Sequence, residues 1–322
     1  MRKAALLYNP DSGGSRARRR QAELESVLAL LRNAKVEAQL ILSDSRAHAA
    51  EKARQAVLAG CDTVFACGGD GTIHNIIQVL ANTQVALAIL PLGTANALAH
   101  DLGIPNKLEA AAQAALQAAP RRVALGRIKY VDLEGKPVTR FFIVAAGAGV
   151  DAHLFYKLHA GSKQRMGMAA YYMKAWQLWV TYPMTRFGVE FSESGSEQRH
   201  QTDVTELMAV RIRNFGGVLQ ELAPGASLER DDLRLVLCRT ASRMAYLLYV
   251  TRGMLRRRWQ VPGIKLAYSG RVSCQYLSAT ELSDGAKRQQ KVYVEADGEL
   301  VGTLPAEITM APDALTLLAP AR

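Results

Sequence analysis

The feature that most constrains this chain is a glycine-rich segment, Cys67-Gly68-Gly69-Asp70-Gly71-Thr72, between two regular patterns. An apolar run typical of a buried strand precedes it, and an apolar periodicity typical of a helix, Ile73 to Leu80, follows it. Glycines permit positive φ and let bare backbone approach a ligand closely. The start of the following helix offers N–H groups and the positive end of its dipole, which together favour a phosphate. The segment therefore predicts a nucleotide-phosphate loop.

Two other phosphate motifs do not fit this segment. A Walker loop requires Gly-Lys followed by Ser or Thr, and the only Gly-Lys pair, Gly135-Lys136, precedes Pro137. A dinucleotide fingerprint that starts at Gly69 requires Gly or Ala at the position of His74. For the glycine-rich segment by itself, an ordinary tight turn remains the alternative.

The pattern of short apolar runs divides the chain into two parts. Residues 1–120 alternate such runs with amphipathic segments, which predicts a parallel sheet covered by helices, with ligands at the carboxyl ends of the strands. From about Arg121 the runs are punctuated by Gly, Asp and Ser and interrupted by helices near 168–180 and 241–257, which predicts an antiparallel sandwich or barrel. In the first part, the predicted strands are Ala4–Tyr8, Glu37–Leu42, Thr63–Ala66 and Ala86–Leu90, and the predicted helices are Arg18–Arg32, Ala47–Ala59, Ile73–Leu80 and Leu108–Ala118.

The predicted fold class is therefore an α/β N-terminal domain with a parallel sheet and a β-rich sandwich C-terminal domain. We place the first domain at residues 1–125 and the second at 126–304, and we expect residues 305–322 to return to the first. The four cysteines show neither C-x-x-C pairing nor neighbouring histidines, which predicts buried reduced thiols in an intracellular protein. No apolar run approaches the roughly 18 residues that span a bilayer.

The formal net charge of +11 calls for an anionic partner. An anionic membrane surface, nucleotide phosphates and nucleic acid would all be attracted, and charge alone does not choose among them. The chain has no helix-turn-helix and no aromatic RNA-binding signature, so we expect no nucleic-acid partner.

Two further polar loops follow predicted strands. Asn9-Pro10-Asp11-Ser12-Gly13 comes after the first strand, and Pro91 to Ala99 comes after the fourth. Alone, the first is a polar strand-to-helix turn, and in the second Thr94 or Asn96 could cap the next helix. Three glycine-containing loops at the ends of three parallel strands are much less probable by chance.

Together, the three loops resemble the diacylglycerol kinase catalytic family, which includes bacterial lipid kinases and the sphingosine and ceramide kinases. The resemblance rests on Asn-Pro-x-Ser-Gly, Gly-Gly-Asp-Gly-Thr and Pro-Leu-Gly-Thr-x-Asn-x-x-Ala in this order and spacing. Phe141 to Ala152, Asn214 to Gly217 and Val294 to Glu299 resemble further segments of the same family.

The resemblance implies an ATP-dependent lipid kinase that phosphorylates a hydroxyl of diacylglycerol, phosphatidylglycerol or a sphingoid or ceramide-type lipid. A structural Mg²⁺ would bind the Asp231 carboxylate and the backbone carbonyls of Leu228 and Leu233. Asp297 and Glu299 would lie at the reacting hydroxyl, although Asp297-Gly298 by itself is typical of a hairpin turn. The residues implied to contact ATP are Asn9, Pro10, Asp11, Ser12, Gly13, Ser43, Gly68, Gly69, Asp70, Gly71, Thr72, Thr94 and Asn96, and Asp70 would also act in catalysis through Mg²⁺ or the phosphates.

The chain departs from the family at several positions. His74-Asn75 stands where the family usually has Asn-Glu, Ala97 where it has Asp, and Val144 where it has Asn. The lipid acceptor therefore stays open, as do an NAD kinase-like small-molecule kinase and a non-catalytic lipid- or nucleotide-binding regulator. We expect a cytoplasmic protein that meets its lipid at an anionic membrane surface, with Arg256–Arg258 as a candidate contact, and a homodimer is possible.

Overall fold

The computed structural model describes residues 1–8, 17–43, 46–150, 152, 180–181, 184–216, 221–257, 259–277 and 290–320. The chain divides into two units. One contains Met1–Leu125, Asn214–Val218 and Ala311–Arg322, and the other contains Gly126–Arg213 and Leu219–Met310. The predicted loop Asn9–Gly13 and the predicted helix near 168–180, apart from its last residue, lie outside the described residues.

The first unit contains a parallel sheet in the order β2–β1–β3–β4, and Thr316–Leu317 of the last strand pair in parallel with β4. This confirms the alternation of strands and helices that the sequence predicted. The elements of this unit are β1 (Lys3–Tyr8), α1 (Ala17–Asn33), β2 (Glu37–Leu42), α2 (Arg46–Leu58), β3 (Thr63–Gly68), α3 (Asp70–Leu80), β4 (Ala86–Pro91), α4 (Ala97–Asp101) and α5 (Leu108–Gln117).

Helix α3 shows how the apolar pattern produces this unit. Ile73, Ile76, Ile77 and Leu80 follow the spacing of one helix face, and each is at most 2% exposed. Burial of an aliphatic side chain of this size contributes about 2 kcal/mol before the loss of side-chain entropy is counted. The strand before the helix, β3, is buried at every residue, which is typical of a parallel strand covered on both faces.

The second unit is an antiparallel β structure, as predicted. One sheet runs β12–β11–β10–β7–β14–β15, and β15 also pairs with β13 in the series β9–β8–β13–β15 and with the β5–β6 hairpin. The elements are β5 (Arg121–Val131), β6 (Pro137–Phe142), β7 (Ala145–Gly149), β8 (Phe187–Ser192), β9 (Arg199–Val204), β10 (Glu206–Val210), β11 (Leu233–Cys238), α6 (Arg243–Met254), β12 (Ile264–Ser269), β13 (Arg271–Gln275), β14 (Tyr293–Ala296) and β15 (Glu299–Leu317).

Alternation of side chains builds the core of this second unit. In β8, Phe187, Val189 and Phe191 are buried, and the residues between them are not. They join one apolar cluster with inward-facing residues of the other strands, among them Phe142 and Leu235. The four cysteines of the chain are all buried and unpaired, as the sequence predicted. Among the described residues, no helix is long and apolar enough to cross a membrane.

A buried arginine ties the segment before β11 to the end of β10 in the second unit. Arg211 follows β10, is fully buried, and donates from its guanidinium to the carbonyl oxygens of Leu228, Arg230 and Asp232. The distances to Leu228 and Asp232 are 3.1 and 3.0 Å. Burial lowers the pKa of Arg211 to about 10, while the nearby carboxylates of Asp231 and Asp232 oppose this shift. The side chain is therefore a cation at neutral pH, surrounded by backbone carbonyls.

We predict that Arg211→Met lowers the free energy of unfolding by about 3 kcal/mol, because each buried carbonyl left without a donor costs about 1–3 kcal/mol. The free energy of unfolding of Arg211→Lys should lie between those of wild type and Arg211→Met, since a lysine keeps the charge but not the planar set of donors. Urea denaturation followed by circular dichroism measures the difference. Arg199→Met is the matched control: its side chain is 81% exposed and makes one surface ion pair with Glu190, so less than about 1 kcal/mol should change. Equal stability of Arg211→Met and wild type would contradict this account.

Candidate active site

The glycine-rich segment lies at the carboxyl end of β3, where the strand ends and α3 begins. Gly69 is the residue before the helix, and its backbone is extended, with φ −100° and ψ −172°. None of Gly68, Gly69 and Gly71 has a positive φ. The glycines are required here because of close approach, since a Cβ added to Gly68 would lie 2.4 Å from Oγ1 of Thr72. The sequence suggested two reasons for these glycines, a positive φ and a close approach of the backbone, and only the close approach applies.

The loop after β4 packs directly against this segment. A Cβ added to Gly93 would lie 2.4 Å from Cα of Gly69, and one added to Gly69 would lie 3.1 Å from Cα of Gly93. The N–H of Leu92 also donates to the carbonyl of Gly68 at 3.0 Å. The two predicted loops are thus brought together backbone against backbone, which only two glycines allow.

Asn96 holds the loop after β4 in shape. It adopts the left-handed conformation with φ 47° before α4, and its side chain does not cap that helix. Instead its carboxamide accepts from the N–H of Gly93 and donates to the carbonyl of Gly93, both at 2.9 Å. Thr94, two residues earlier, is exposed. The helix-capping alternative for Asn96 is therefore replaced by a contact within the loop.

Asp70 is the first residue of α3, where a carboxylate is favoured by the helix dipole. Its Oδ1 accepts a long hydrogen bond of 3.4 Å from the N–H of Leu98 in α4. Thr72, two residues on, is buried. The carboxylate thus lies between the starts of two helices at the carboxyl edge of the parallel sheet.

The other described residues implied for ATP lie at this same edge. Ser43 follows β2, is buried, and its N–H donates to the carbonyl of Tyr8 at 2.8 Å. The register pairs Tyr8 with both Leu42 and Cys67, so β1, β2 and β3 end side by side. The structure therefore brings together the described part of the predicted nucleotide site, and Asn9–Gly13, which follow β1 in the chain, are not among the described residues.

A cleft of about 680 Å³ lies beside Gly93 in the first unit. Its walls are α1, the loop after β4 and the start of α5, and its charged side chains carry both signs. The volume falls in the range of small-molecule sites. Pro91, Leu92 and Gly93 belong to the loop after β4 that the sequence pattern singled out, and the other lining residues were not identified from the sequence as ligand contacts. The lining residues are Arg20, Ala22, Glu23, Ser26, Pro91, Leu92, Gly93, Asn106, Lys107, Leu108 and Glu109.

In the second unit, Asp297 forms the turn between β14 and β15. Asp297 and Gly298 both have positive φ, 51° and 77°, as a two-residue hairpin turn requires. The Asp297 carboxylate is 8% exposed and accepts from the N–H groups of Ile143, Val144 and Ala145 at 3.2, 2.8 and 3.2 Å. It therefore supplies acceptors to the backbone that leads into β7, in addition to any catalytic role.

Glu299 differs from Asp297 in its surroundings. It is the first residue of β15 and is half-buried. The hairpin thus carries two carboxylates of different kinds, one held by backbone donors and one partly open to solvent.

Sequence reasoning missed two buried carboxylates in this unit. Glu206 and Glu295 are 4% and 3% exposed and pair across β7 with Gly149 and Gly147. Residues two apart in a strand share a face, so both glutamates lie on one face of the sheet. The sequence signal was present, because Glu206 opens an otherwise apolar strand.

Both buried glutamates accept backbone hydrogen bonds. Oε2 of Glu206 accepts from the N–H of Val150 at 2.9 Å, and Oε2 of Glu295 accepts from the N–H of Gly298 at 2.7 Å. These contacts compensate part of the cost of burying a carboxylate.

The segment predicted to bind a structural Mg²⁺ is tied by Arg211. The Leu228 carbonyl accepts from the Arg211 guanidinium, Asp231 is exposed, and Leu233 is the first residue of β11. Within the described ranges, no group of three or more His, Cys, Asp and Glu side chains could hold a metal. The predicted site has one carboxylate and two backbone carbonyls, so this result does not test it, and the Mg²⁺ at this segment stays a prediction.

Two family models match the chain and together span most of it. Residues 3–128 match the diacylglycerol kinase catalytic domain, and residues 144–319 match the YegS C-terminal NAD kinase beta sandwich-like domain. Among curated relatives, the diacylglycerol kinase of Bacillus subtilis (strain 168) is 26% identical over 310 residues, which cover 95% of this chain and 93% of the relative.

Solved structures show the same fold. A crystal structure of a candidate diacylglycerol kinase from Bacillus anthracis str. Sterne has a TM-score of 0.73 at 18% identity, covering 98% of this chain and 96% of that one. Yeast NADH kinase complexed with NADH has a TM-score of 0.52 at 10% identity, and the match covers 100% of this chain and 84% of that one. With the two family models, these likenesses lead to one conclusion: the chain belongs to the diacylglycerol kinase catalytic family.

Proposed function

We propose that this chain is an ATP-dependent lipid kinase that transfers the γ-phosphoryl group of ATP to a lipid hydroxyl. The observation that carries the proposal is the contact of the Gly69 and Gly93 backbones at the carboxyl edge of the parallel sheet, beside the Asp70 carboxylate. The family supports a kinase, and curated relatives at about a quarter identity are named diacylglycerol kinases.

The loop is suited to phosphate because of its backbone. The first N–H groups of α3 have no acceptor within the helix, and the helix dipole adds positive potential at the same point. Gly69, Asp70 and Gly71 at the start of the helix are partly exposed, so phosphate oxygens can approach the backbone there. The neighbouring cleft of about 680 Å³ has room for the nucleoside part of ATP.

In phosphoryl transfer, the protein mainly positions the reacting groups and stabilises the charge on the phosphates. Asp70 is the carboxylate at the sheet edge that would hold the Mg²⁺ accompanying ATP, an ion that takes oxygen ligands and neutralises charge on the phosphates. Because Asp297 is occupied by three backbone N–H groups, we assign the removal of the hydroxyl proton to Glu299. Asp297 then positions the start of β7.

A second candidate function is NAD kinase-like phosphorylation of a small molecule. It is favoured by the NAD kinase-like sandwich model that matches residues 144–319 and by the fold of yeast NADH kinase. A non-catalytic regulator remains the third alternative.

The first test is transfer of label from radioactive ATP to a panel of diacylglycerol, phosphatidylglycerol, ceramide, sphingosine and NAD. We expect a labelled lipid, and we expect Asp70→Asn to lower kcat by about a hundredfold or more without unfolding the protein. Asp62→Asn is the matched control, because Asp62 precedes β3 at the opposite end of the strand and its side chain is 34% exposed. Label on NAD alone would favour the second candidate, and no label on any acceptor would favour the regulator.

Gly93→Ala tests whether the contact between the loops shapes the nucleotide site. The new Cβ would meet Cα of Gly69, so one loop must move, and we expect KM for ATP to rise about tenfold, equivalent to about 1.4 kcal/mol. Gly270→Ala is the control, because a Cβ there meets no atom within 4 Å. An unchanged KM in Gly93→Ala would show that the contact does not matter for ATP.

The assignment of the two hairpin carboxylates predicts different phenotypes. Glu299→Gln should lose about a hundredfold or more in kcat at unchanged thermal stability. Asp297→Asn should lose about 1–3 kcal/mol of stability, because its amide NH₂ replaces an acceptor that faces backbone donors. Steady-state kinetics and calorimetry of both variants measure this. A stable but inactive Asp297→Asn, beside an active Glu299→Gln, would transfer the base to Asp297.

A further inference from the structure

Helix α6 in the second unit is arranged with its polar residues inward and its apolar residues outward. Its buried residues include Tyr246, Tyr249 and Arg252, whereas Met244 is 63% and Leu248 46% exposed. A surface helix of a globular protein normally shows the opposite arrangement.

Directional contacts explain why the polar face is the buried one. The Tyr246 hydroxyl lies 2.7 Å from Oγ1 of Thr205, and the Tyr249 hydroxyl donates to the carbonyl of Leu222. The Arg252 guanidinium lies 4.3 Å from the centre of the Tyr249 ring. Burial raises the pKa of both tyrosines, so they stay neutral hydroxyl donors. The polar side chains that anchor the helix to the rest of the unit therefore lie on its inner side.

The outer side is mostly apolar, with Thr251 between two apolar groups. Its residues follow the spacing of one helix face and continue past the end of α6. Clusters of exposed apolar side chains on one face of a helix are typical of interaction sites. The residues and their exposed fractions are Met244 63%, Leu247 38%, Leu248 46%, Met254 44%, Leu255 59% and Trp259 42%. We call this set the α6 stripe.

The segment that carries the α6 stripe has only basic charged residues, and the neighbouring Glu221 lies against the buried Gly253, on the inner side of α6. The sequence from Leu233 to Thr280 contains no Asp or Glu, and Arg239, Arg256 and Arg257 are exposed there. Basic residues beside an apolar helix face with an aromatic residue at its edge are the composition of helices that lie in the surface of an anionic bilayer. A symmetric contact with a second copy would bring these arginines towards each other, which disfavours that occupant.

We propose that the α6 stripe docks on the surface of an anionic bilayer, with its apolar side chains in the headgroup region and the arginines on lipid phosphates. The inference deepens the proposed function, since a kinase for a membrane lipid must reach its acceptor at such a surface. Docking itself requires neither ATP nor an acceptor. It can therefore be measured separately from transfer.

The first experiment is co-sedimentation of the full chain with vesicles of phosphatidylcholine alone or mixed with phosphatidylserine, which has no alcohol hydroxyl to phosphorylate. We expect about tenfold or more tighter binding to the anionic vesicles, and a loss of that difference at high salt. Arg256→Gln/Arg257→Gln should reduce the preference for anionic vesicles, and Lys136→Gln/Arg199→Gln, two exposed cations elsewhere in the unit, should not.

A second pair of variants tests how much the apolar side chains contribute to vesicle binding. Leu247→Ser/Leu248→Ser should weaken binding about tenfold or more, because it removes two apolar side chains that would enter the bilayer. Leu42→Ser/Leu58→Ser is the control, since these leucines are 55% and 81% exposed in the first unit. All four substitutions are at exposed side chains, so we expect both variants to fold.

A fluorescent label reports insertion directly. The native cysteines are all buried, so Leu248→Cys provides an accessible thiol for an environment-sensitive dye, and Leu58→Cys is the control. We expect a blue shift and quenching by brominated lipid for the label at position 248 alone.

Three results would overturn the proposal: equal binding to neutral and anionic vesicles, unimpaired binding of Leu247→Ser/Leu248→Ser, or a label at 248 that does not respond to vesicles. A dimer in solution that dissociates in the same double variant would assign the α6 stripe to a second copy and would also overturn it. Binding that follows our expectations in a protein without kinase activity would refute the proposed function and leave the docking inference standing.

Discussion

The contact between Gly69 and Gly93 is the constraint on which the candidate nucleotide site depends. Two loops at the carboxyl ends of adjacent parallel strands come so close that neither position accommodates a Cβ without displacing backbone. Asn96 holds one loop through both backbone groups of Gly93, and Asp70 begins the helix that follows the other. Because the sheet positions both strand ends, the loops require little stabilisation of their own.

In the second unit, buried charged side chains form hydrogen bonds with backbone groups. Arg211 donates to carbonyls before β11, and Asp297 accepts from N–H groups before β7. In each case one ionised side chain satisfies several backbone groups at a place where strand pairing stops. Such charges are costly to bury and are tolerated because their partners are numerous and fixed. Glu299, by contrast, is half-buried at the start of β15.

Helix α6 shows how polar contacts can decide which side of a helix faces outward. The Tyr246 hydroxyl hydrogen-bonds with Oγ1 of Thr205 and the Tyr249 hydroxyl donates to the carbonyl of Leu222, which fixes this side of the helix inside the unit. The apolar residues then remain on the surface within a region of the sequence that has no acidic residue. For a protein whose proposed substrate lies in a bilayer, an outward apolar face beside arginines has a direct physical use.

The sequence by itself determined the fold class, the order of the strands and longer helices in the first unit and the loops after β3 and β4, but not the short helix α4, because periodicity and glycine placement are local properties. The bounds of β2, the end of β1 at Tyr8 and the burial of the four cysteines also followed from it. Only the tertiary structure decided that Asp297 faces the N–H groups of Ile143 to Ala145, more than 150 residues away, and that Arg211 reaches the segment around Leu228. The same holds for the outward direction of the α6 stripe. Which backbone group or helix face a side chain meets depends on strand pairing between distant segments, and local spacing carries no information about that pairing.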